Sequence, residues 1–375
     1  MTELLRPMWA EVDLDAARAN VRALRTLVAP SAVCAVVKAD GYGHGAAAVG
    51  RAALEAGADC LAVALVEEGV QLRDAGIEAP ILVLSEPVAD AADTVVERHL
   101  TPVVYTADGI DALAKAAAAH SERMPLSVHL KVDTGMHRVG CDPRDAVELA
   151  AHVVERPELR LAGVCTHFAI ADEPDHPYTA GQKRRFDAVL EALRARKLPT
   201  GIVHACNSAA AITVPAARYD MVRLGIAVYG IAPAPALSGA VALQPVLAVK
   251  ARVSHVQNLP AGAQLSYGLR YTTAAGARIA TVPVGYADGV PRELAHRGGE
   301  VLLHGARRPI AGTVTMDQLM VDAGPIPVEV GDEVVLIGRQ GAEEITAQEW
   351  ADKMDTIAYT IVCGIGPRVP RRTVS

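Results

Sequence analysis

An apolar run in this chain ends on a lysine. In "AVVKADGYGHGA", residues 35–46, Lys38 is followed by a glycine-rich turn and then an alanine-rich segment. Gly41, Gly43 and Ala46 fit the G-x-G-x-x-G/A spacing of a dinucleotide-binding turn, in the strand–turn–helix setting that motif needs. The lysine points elsewhere. Kept dry at a strand end, an amine loses its proton and attacks a carbonyl, forming a Schiff base. One reading makes the glycines functional and the other makes Lys38 functional, and the number of strands decides between them.

Short β-rich runs recur through the first two-thirds of the chain, at 31–38, 60–66, 80–85, 101–106, 126–133, 161–168, 201–207 and 219–225. Most are continuously apolar, as strands buried on both faces of a parallel sheet should be. Helical patterns separate them at 44–57, 67–75, 88–98, 108–120, 143–155 and 179–196, with two shorter ones after the last two strands. Eight alternations predict a (β/α)₈ barrel of the TIM type rather than a six-stranded open sheet. Ahead of it, Asp13 is placed to cap an amphipathic helix with Leu14, Ala17, Val21 and Leu24 on one face.

Near residue 240 the texture changes to glycine- and proline-punctuated runs such as "LAVKARVSHV", "RIATVPVG", "EVLLHG", "RPIAGTV" and "DEVVLIG". These predict a smaller, mainly antiparallel β domain. Thr346 and Glu349 form a capping box at the start of one late helix. The expected division is a barrel over 1–240 and a β domain over 241–375.

Barrel enzymes build their sites at the C-terminal ends of the strands. Those ends supply Lys38 and Tyr42, Lys131 with Arg138, His167, then Asn207 and Ser208, and finally Arg223, Gly225 and Ile226. Strands two to four end less distinctively, in Glu67, Ser85 and Tyr105. Ser208 with Gly225 and Ile226 fits the phosphate seat that such barrels place after strands seven and eight. A reactive lysine, a phosphate seat and an arginine for a ring nitrogen make the protein's half of a pyridoxal phosphate (PLP) site. Each residue also has a plainer reading. Lys38 could be solvated, His167 a core histidine, Lys131 and Arg138 partners of Asp133 and Asp142, and Asn207–Ser208 a simple helix cap.

Composition narrows the class. With 51% hydrophobic and 21% charged residues the chain is globular, and a formal net charge of −7 argues against nucleic-acid or membrane-surface partners. The N-terminal "MTELLRPMWAEVDLD" lacks the basic start and apolar core of a signal peptide. Six scattered cysteines without a C-x-x-C pair read as reduced thiols of a cytoplasmic protein, and no metal-ligand spacing is present.

With these residues assembled, the chain resembles the alanine racemases over nearly its whole length. The resemblance rests on "AVVKADGYGHGA", "LKVDTGMHRVG", "THFAIAD", "CNSAA", "YDMVRLGIAVYG", "LSYGLRYTT", "VPVGYADG", "GTVTMDQLMVD" and "TIAYTIVCGIGPRVPR". It implies PLP held by Lys38, which acts as one acid/base. Tyr267 would be the other, supplied by the partner in a head-to-tail homodimer. Tyr42, Ser208, Gly225, Ile226 and Tyr359 would hold the phosphate, with Asn207 beside them, and Arg223 would meet the pyridine nitrogen. His167 would support Arg223 and Tyr267. Arg138 and the Met316 backbone would receive the substrate carboxylate, with Asp317 and Tyr286 lining the same region. Lys131 matches a position that is often carbamylated. The implied role is supplying D-alanine for peptidoglycan.

Three positions depart from the expected pattern: Thr315 for cysteine, His137 for glycine and Thr360 for an acid. Thr315 keeps open a broader or serine-directed racemase. A protein that holds PLP without turnover is a third class. The NAD reading explains the glycines, and Glu67 or Glu68 as a ribose acid, but no other strand end.

Overall fold

The computed structural model describes residues 5–120, 125–274 and 277–375. Its described residues fall into two compact units, one of 16–41 and 46–244, the other of the chain up to 15, residues 42–45, and 245 onward.

The first unit is a closed parallel barrel of Ala32–Val36, Cys60–Val63, Ile81–Val83, Thr101–Val104, Leu126–Lys131, Leu159–Cys165, Ile202–His204 and Met221–Leu224. The last strand returns to the first in register, Cys34 opposite Arg223 and Ala35 opposite Leu224. Val33, Val63, Ile81, Val103, Leu130, Val164 and Val222 are all essentially inaccessible, which is why these strands read as unbroken apolar runs. The strands are shorter than those runs, because the run ends already belong to the loops. The intervening helices include Ala46–Glu55, Val66–Asp74, Ala107–Ala119 and Tyr178–Ala195. Gly76, at φ 80°, ends the second of these, as its sequence position predicts. No helix among the described residues is long and apolar enough to cross a membrane.

The second unit holds two main sheets. One runs in the order Ala306–Pro309, Glu300–Leu303, Glu333–Gln340, Leu247–Arg252, Met8–Asp13, Arg371–Val374, antiparallel except for the final pair. The other orders His255–Leu259, Ala277–Val282 and Leu319–Gly324, all antiparallel. Residues 8–13 therefore depart from the expected 1–240 division. Their strand finds its ladder partners some 240 and 360 positions further on, a pairing that no local pattern announces. Thr346 caps the helix Ala347–Met354 by accepting the Glu349 N–H at 3.0 Å. The reciprocal half of the expected capping box goes elsewhere, since the Glu349 carboxylate binds Arg307.

The helix Leu14–Val28 buries Ala17, Val21 and Leu24 as its pattern predicts, and adds one buried polar residue, Asn20. Its amide donates to Val228 O (3.1 Å) and Gln244 O (2.8 Å) and accepts the Gln244 N–H (2.7 Å). Asn20→Leu removes all three bonds in a dry setting, at a cost of about 2–4 kcal/mol. The thermal midpoint is expected to fall by about 5–10 °C. An unchanged midpoint in a differential scanning experiment would refute this.

Candidate active site

The first barrel strand delivers Lys38 into an unusual turn. Ala39, Asp40 and Gly41 all adopt left-handed backbone, with φ of 51°, 50° and 62°. Around it, Ala39 N–H donates to Glu68, Ala46 N–H to Asp40 and Gly41 N–H to Val37 O. The glycines that suggested a dinucleotide cradle shape this turn instead. Gly43 (φ 80°) would place a Cβ 2.3 Å from Val362 O, so only glycine fits.

Lys131 lies close enough to Lys38, Arg138 and Arg223 to feel the charge of each. Burial pushes the Lys131 ammonium down to about 8, with Arg223, Arg138 and Lys38 pressing the same way. Its Nζ donates to Leu84 O at 3.0 Å. The ion pairs entertained for Lys131 and Arg138 do not form. Asp133 instead accepts the backbone N–H groups of Gly135, Met136 and His137, and Asp142 pairs with Arg144 at 2.7 Å. His137 sits at φ 55°, which explains why glycine is usual there. A cavity of about 10 Å³ lies beside Lys131, Arg138 and His167.

Arg223 is buried and held from several sides. Nη1 lies 2.6 Å from His204 Nδ1, and Nη2 donates to Thr166 O (2.8 Å), Ala205 O (2.9 Å) and toward His167 Nδ1 (3.2 Å). A guanidinium only donates, so both Nδ1 atoms accept and both rings carry the proton on Nε2. His204 Nε2 is 2.8 Å from His129 Nδ1, which passes the same tautomer to His129. His204 and His129 were not singled out from sequence. The available signal was His129 two residues before Lys131, on the same strand face.

Asn207 caps the short helix Ser208–Thr213 by accepting the Ala210 N–H at 2.9 Å. The cap reading is thus correct for Asn207, while the Ser208 hydroxyl does something more: it accepts the Gly225 N–H at 2.9 Å. This brings one helix start against Gly225 and Ile226, where a second short helix begins. Free first-turn N–H groups and a hydroxyl proton are the donor set an anion requires.

In the β unit, the Tyr42 and Tyr359 rings lie 6.0 Å apart at 56°. Tyr267, Tyr286, Met316 and Asp317 gather around residues 313–317. Thr313 Oγ1 donates to Tyr267 O at 2.9 Å, and the Tyr286 and Ala287 N–H groups donate to Thr315 O and Met316 O, each at 3.0 Å. A Cβ on Gly285 would lie 2.2 Å from Thr315 O, so this apposition demands glycine. Asp317 pairs with Arg368 at 2.7 Å, and Arg368 also reaches the fully buried Asp288. The Thr315 hydroxyl is spent on Gln318 O at 2.7 Å.

The imidazole chain has a pH consequence. Burial, then the Arg223 charge, pushes His129 down to about 4 and holds His167 and His204 well below the ordinary imidazole range. The unfolded chain would bind protons at these sites near pH ~6.5 while the native state does not, so they make stability fall as pH drops below ~6.5. Ring ¹⁵N spectra of all three should keep the neutral Nε2–H signature from pH 8 to 5.5. A titration midpoint near 6.5 at any of them contradicts the assignment.

Two family profiles divide the chain: "Alanine racemase, N-terminal domain" over residues 12–233 and "Alanine racemase, C-terminal domain" over 246–373. The chain is 51% identical over 370 residues to an alanine racemase of Symbiobacterium thermophilum, covering 98% of this chain and 97% of that one. Against one from Halothermothrix orenii the identity is 44% at the same coverage. Among solved structures, alanine racemase from D-cycloserine producing Streptomyces lavendulae matches with a TM-score of 0.94 at 40% identity, covering 100% and 98% of the two chains. Alanine racemase from Bacillus anthracis with bound L-Ala-P matches at 0.92 and 37%, covering 100% and 96%. With both domains matched and its full length aligned, the chain belongs to the alanine racemase family and is an enzyme of that class.

Proposed function

We propose that the chain interconverts L- and D-alanine with PLP by a two-base mechanism, Lys38 and Tyr267 being the bases, and that the D-alanine serves peptidoglycan. The observation that carries this reading is the convergence, at one barrel end, of Lys38, a fully tethered Arg223 and the Ser208–Gly225 anion seat. These residues suit the cofactor. Ser208 and the N–H groups near Gly225 and Ile226 would take the phosphate, with Asn207 shaping the helix start; Tyr42 and Tyr359 are the further phosphate ligands of this reading. Arg223 keeps its Nε–H and one Nη1–H for a ring acceptor, and Lys38 would hold PLP covalently. When bound, PLP withdraws the electron pair left at the substrate Cα.

Inversion requires a proton taken from one face of Cα and returned to the other, which one base cannot do. Lys38 would serve one face. Tyr267, 72% exposed at the tip of a turn pinned by Thr313, would serve the other in a partner subunit of a head-to-tail dimer. Arg138 and the Met316 backbone would receive the substrate carboxylate, with Asp317 and Tyr286 bordering it. A guanidinium only donates, so Arg223 would offer the ring nitrogen a hydrogen bond rather than a proton. That tempers the electron withdrawal and limits side reactions. His167, a neutral acceptor, keeps Arg223 in place. The engaged Thr315 hydroxyl gives no ground for preferring serine.

Lys38→Ala should abolish borohydride trapping of PLP and all racemisation. Tyr267→Phe should retain PLP yet lose about 10²–10⁴-fold in both directions. Normal turnover in either variant overturns that residue's role.

We also assign a carbamate to Lys131. At a pKa of about 8, roughly a quarter of the amine is neutral at pH 7.5, against about a thousandth for an ordinary lysine. The neutral amine is the form that adds CO₂, and the resulting anion would orient Arg138 across the adjoining cavity. Protein equilibrated with ¹³CO₂ should show one bound carbonyl resonance that vanishes in Lys131→Arg. Its persistence there would place the carbamate elsewhere, and its absence from both proteins would rule it out.

A further inference from the structure

The turn after Lys38 adopts a conformation that its residues do not favour. Ala39, Asp40 and Gly41 have φ/ψ of 51/52°, 50/48° and 62/46°, and Tyr42 continues with φ 52°. Three of these four carry a Cβ, which disfavours left-handed helical backbone by about 1–2 kcal/mol each. Contacts must therefore hold the turn. Gly41 N–H closes it onto Val37 O at 2.8 Å, and Asp40 accepts the Ala46 N–H at 2.9 Å. The third restraint comes from the neighbouring barrel loop. Glu68 Oε1 accepts the Ala39 N–H at 2.6 Å, while Oε2 accepts the Ala64 and Leu65 N–H groups at 2.8 and 3.1 Å.

One half-buried carboxylate thus ties the loops after the first and second strands through three backbone donors. The peptide bearing the Ala39 N–H is the one that leaves Lys38. Anchoring it fixes the rotation about the Lys38 Cα–C bond, and so the direction in which the lysine side chain departs.

We propose that Glu68 is a positioning residue for racemisation, aiming Lys38 through the Ala39 amide without touching substrate or cofactor. The inference rests on Lys38 being the PLP-bearing base. All three partners of Glu68 are N–H groups, so an acceptor-only side chain is required. A glutamine has one acceptor oxygen and turns an NH₂ toward a donor. A loosened Lys38 impairs proton transfer on its own face and leaves the Tyr267 face intact, and a misplacement of about 1 Å costs on the order of 10²-fold.

The test compares Glu68→Gln with the exposed neighbour Glu67→Gln and with Lys38→Ala, all loaded with PLP. Glu68→Gln should lower kcat about 10–100-fold with KM within about threefold, whereas Glu67→Gln matches wild type. The Cα-deuterium isotope effect should rise in one reaction direction only. Amide exchange at Ala39 should accelerate at least about tenfold, with or without PLP, as a lost hydrogen bond requires. If the amide impairs folding, Glu68→Asp retains both acceptor oxygens and should show the same signs, smaller. Wild-type kcat in Glu68→Gln beside an inactive Lys38→Ala ends this inference alone. Unchanged Ala39 exchange, or an isotope effect rising equally in both directions, also ends it. An active Lys38→Ala ends the Lys38 assignment and this inference with it.

Discussion

Crowding of positive charge is the constraint around which the barrel site is arranged. Lys131 feels the charges of Arg223, Arg138 and Lys38, and His167 lies within the field of all four. The chain as a whole carries a formal charge of −7, so acids are not scarce. They are spent on backbone instead. Glu68, Asp133 and Glu86 each bind two or three N–H groups of nearby loops rather than a cation of the site. The acids stabilise loop geometry, and compensation of charge beside Arg138 is left to the carbamate proposed on Lys131. The phosphate and carboxylate proposed to bind here would meet a positive field already built in.

Keeping that field fixed demands that its neighbours stay neutral. The histidines next to Arg223 are acceptors because a guanidinium leaves them no other part, and burial keeps them uncharged. Two backbone carbonyls complete the cradle. The result is an arginine whose guanidinium is held by four groups from two neighbouring strand ends, with no carboxylate among those partners. Parallel strands make this possible. Thr166, Ala205 and Arg223 come from three successive strand ends, and a closed barrel holds those ends at fixed separations.

Much of this was legible in the sequence, and the parts that were not have identifiable causes. Apolar runs separated by helical spacing are local signals, so all eight barrel strands could be counted. Lys38, Arg138, His167 and Arg223 then fell at one end by arithmetic alone. The strand Met8–Asp13 was missed because its partners are remote and its sequence adjoins a stronger helical pattern. His204 and His129 were missed because single histidines in apolar strands look like core residues until Arg223 is placed beside them. Glu68 was weighed only as an acid for a ribose. Its actual partner, a backbone N–H in a left-handed turn, has no signature in residue type.

The choice of partner for Glu68 follows from the same electrostatics. A carboxylate bonded directly to the Lys38 amine would favour its protonated form, which can neither attack a carbonyl nor accept a proton. Held at arm's length on the Ala39 amide, the same carboxylate restrains the lysine's backbone and leaves its nitrogen chemistry alone. The left-handed turn gives that restraint something to act on. A relaxed loop would aim its lysine over a wide cone, whereas a strained turn clamped at Val37, Asp40 and Glu68 permits one direction. The backbone strain after Lys38 therefore keeps a reactive group poised without quenching it.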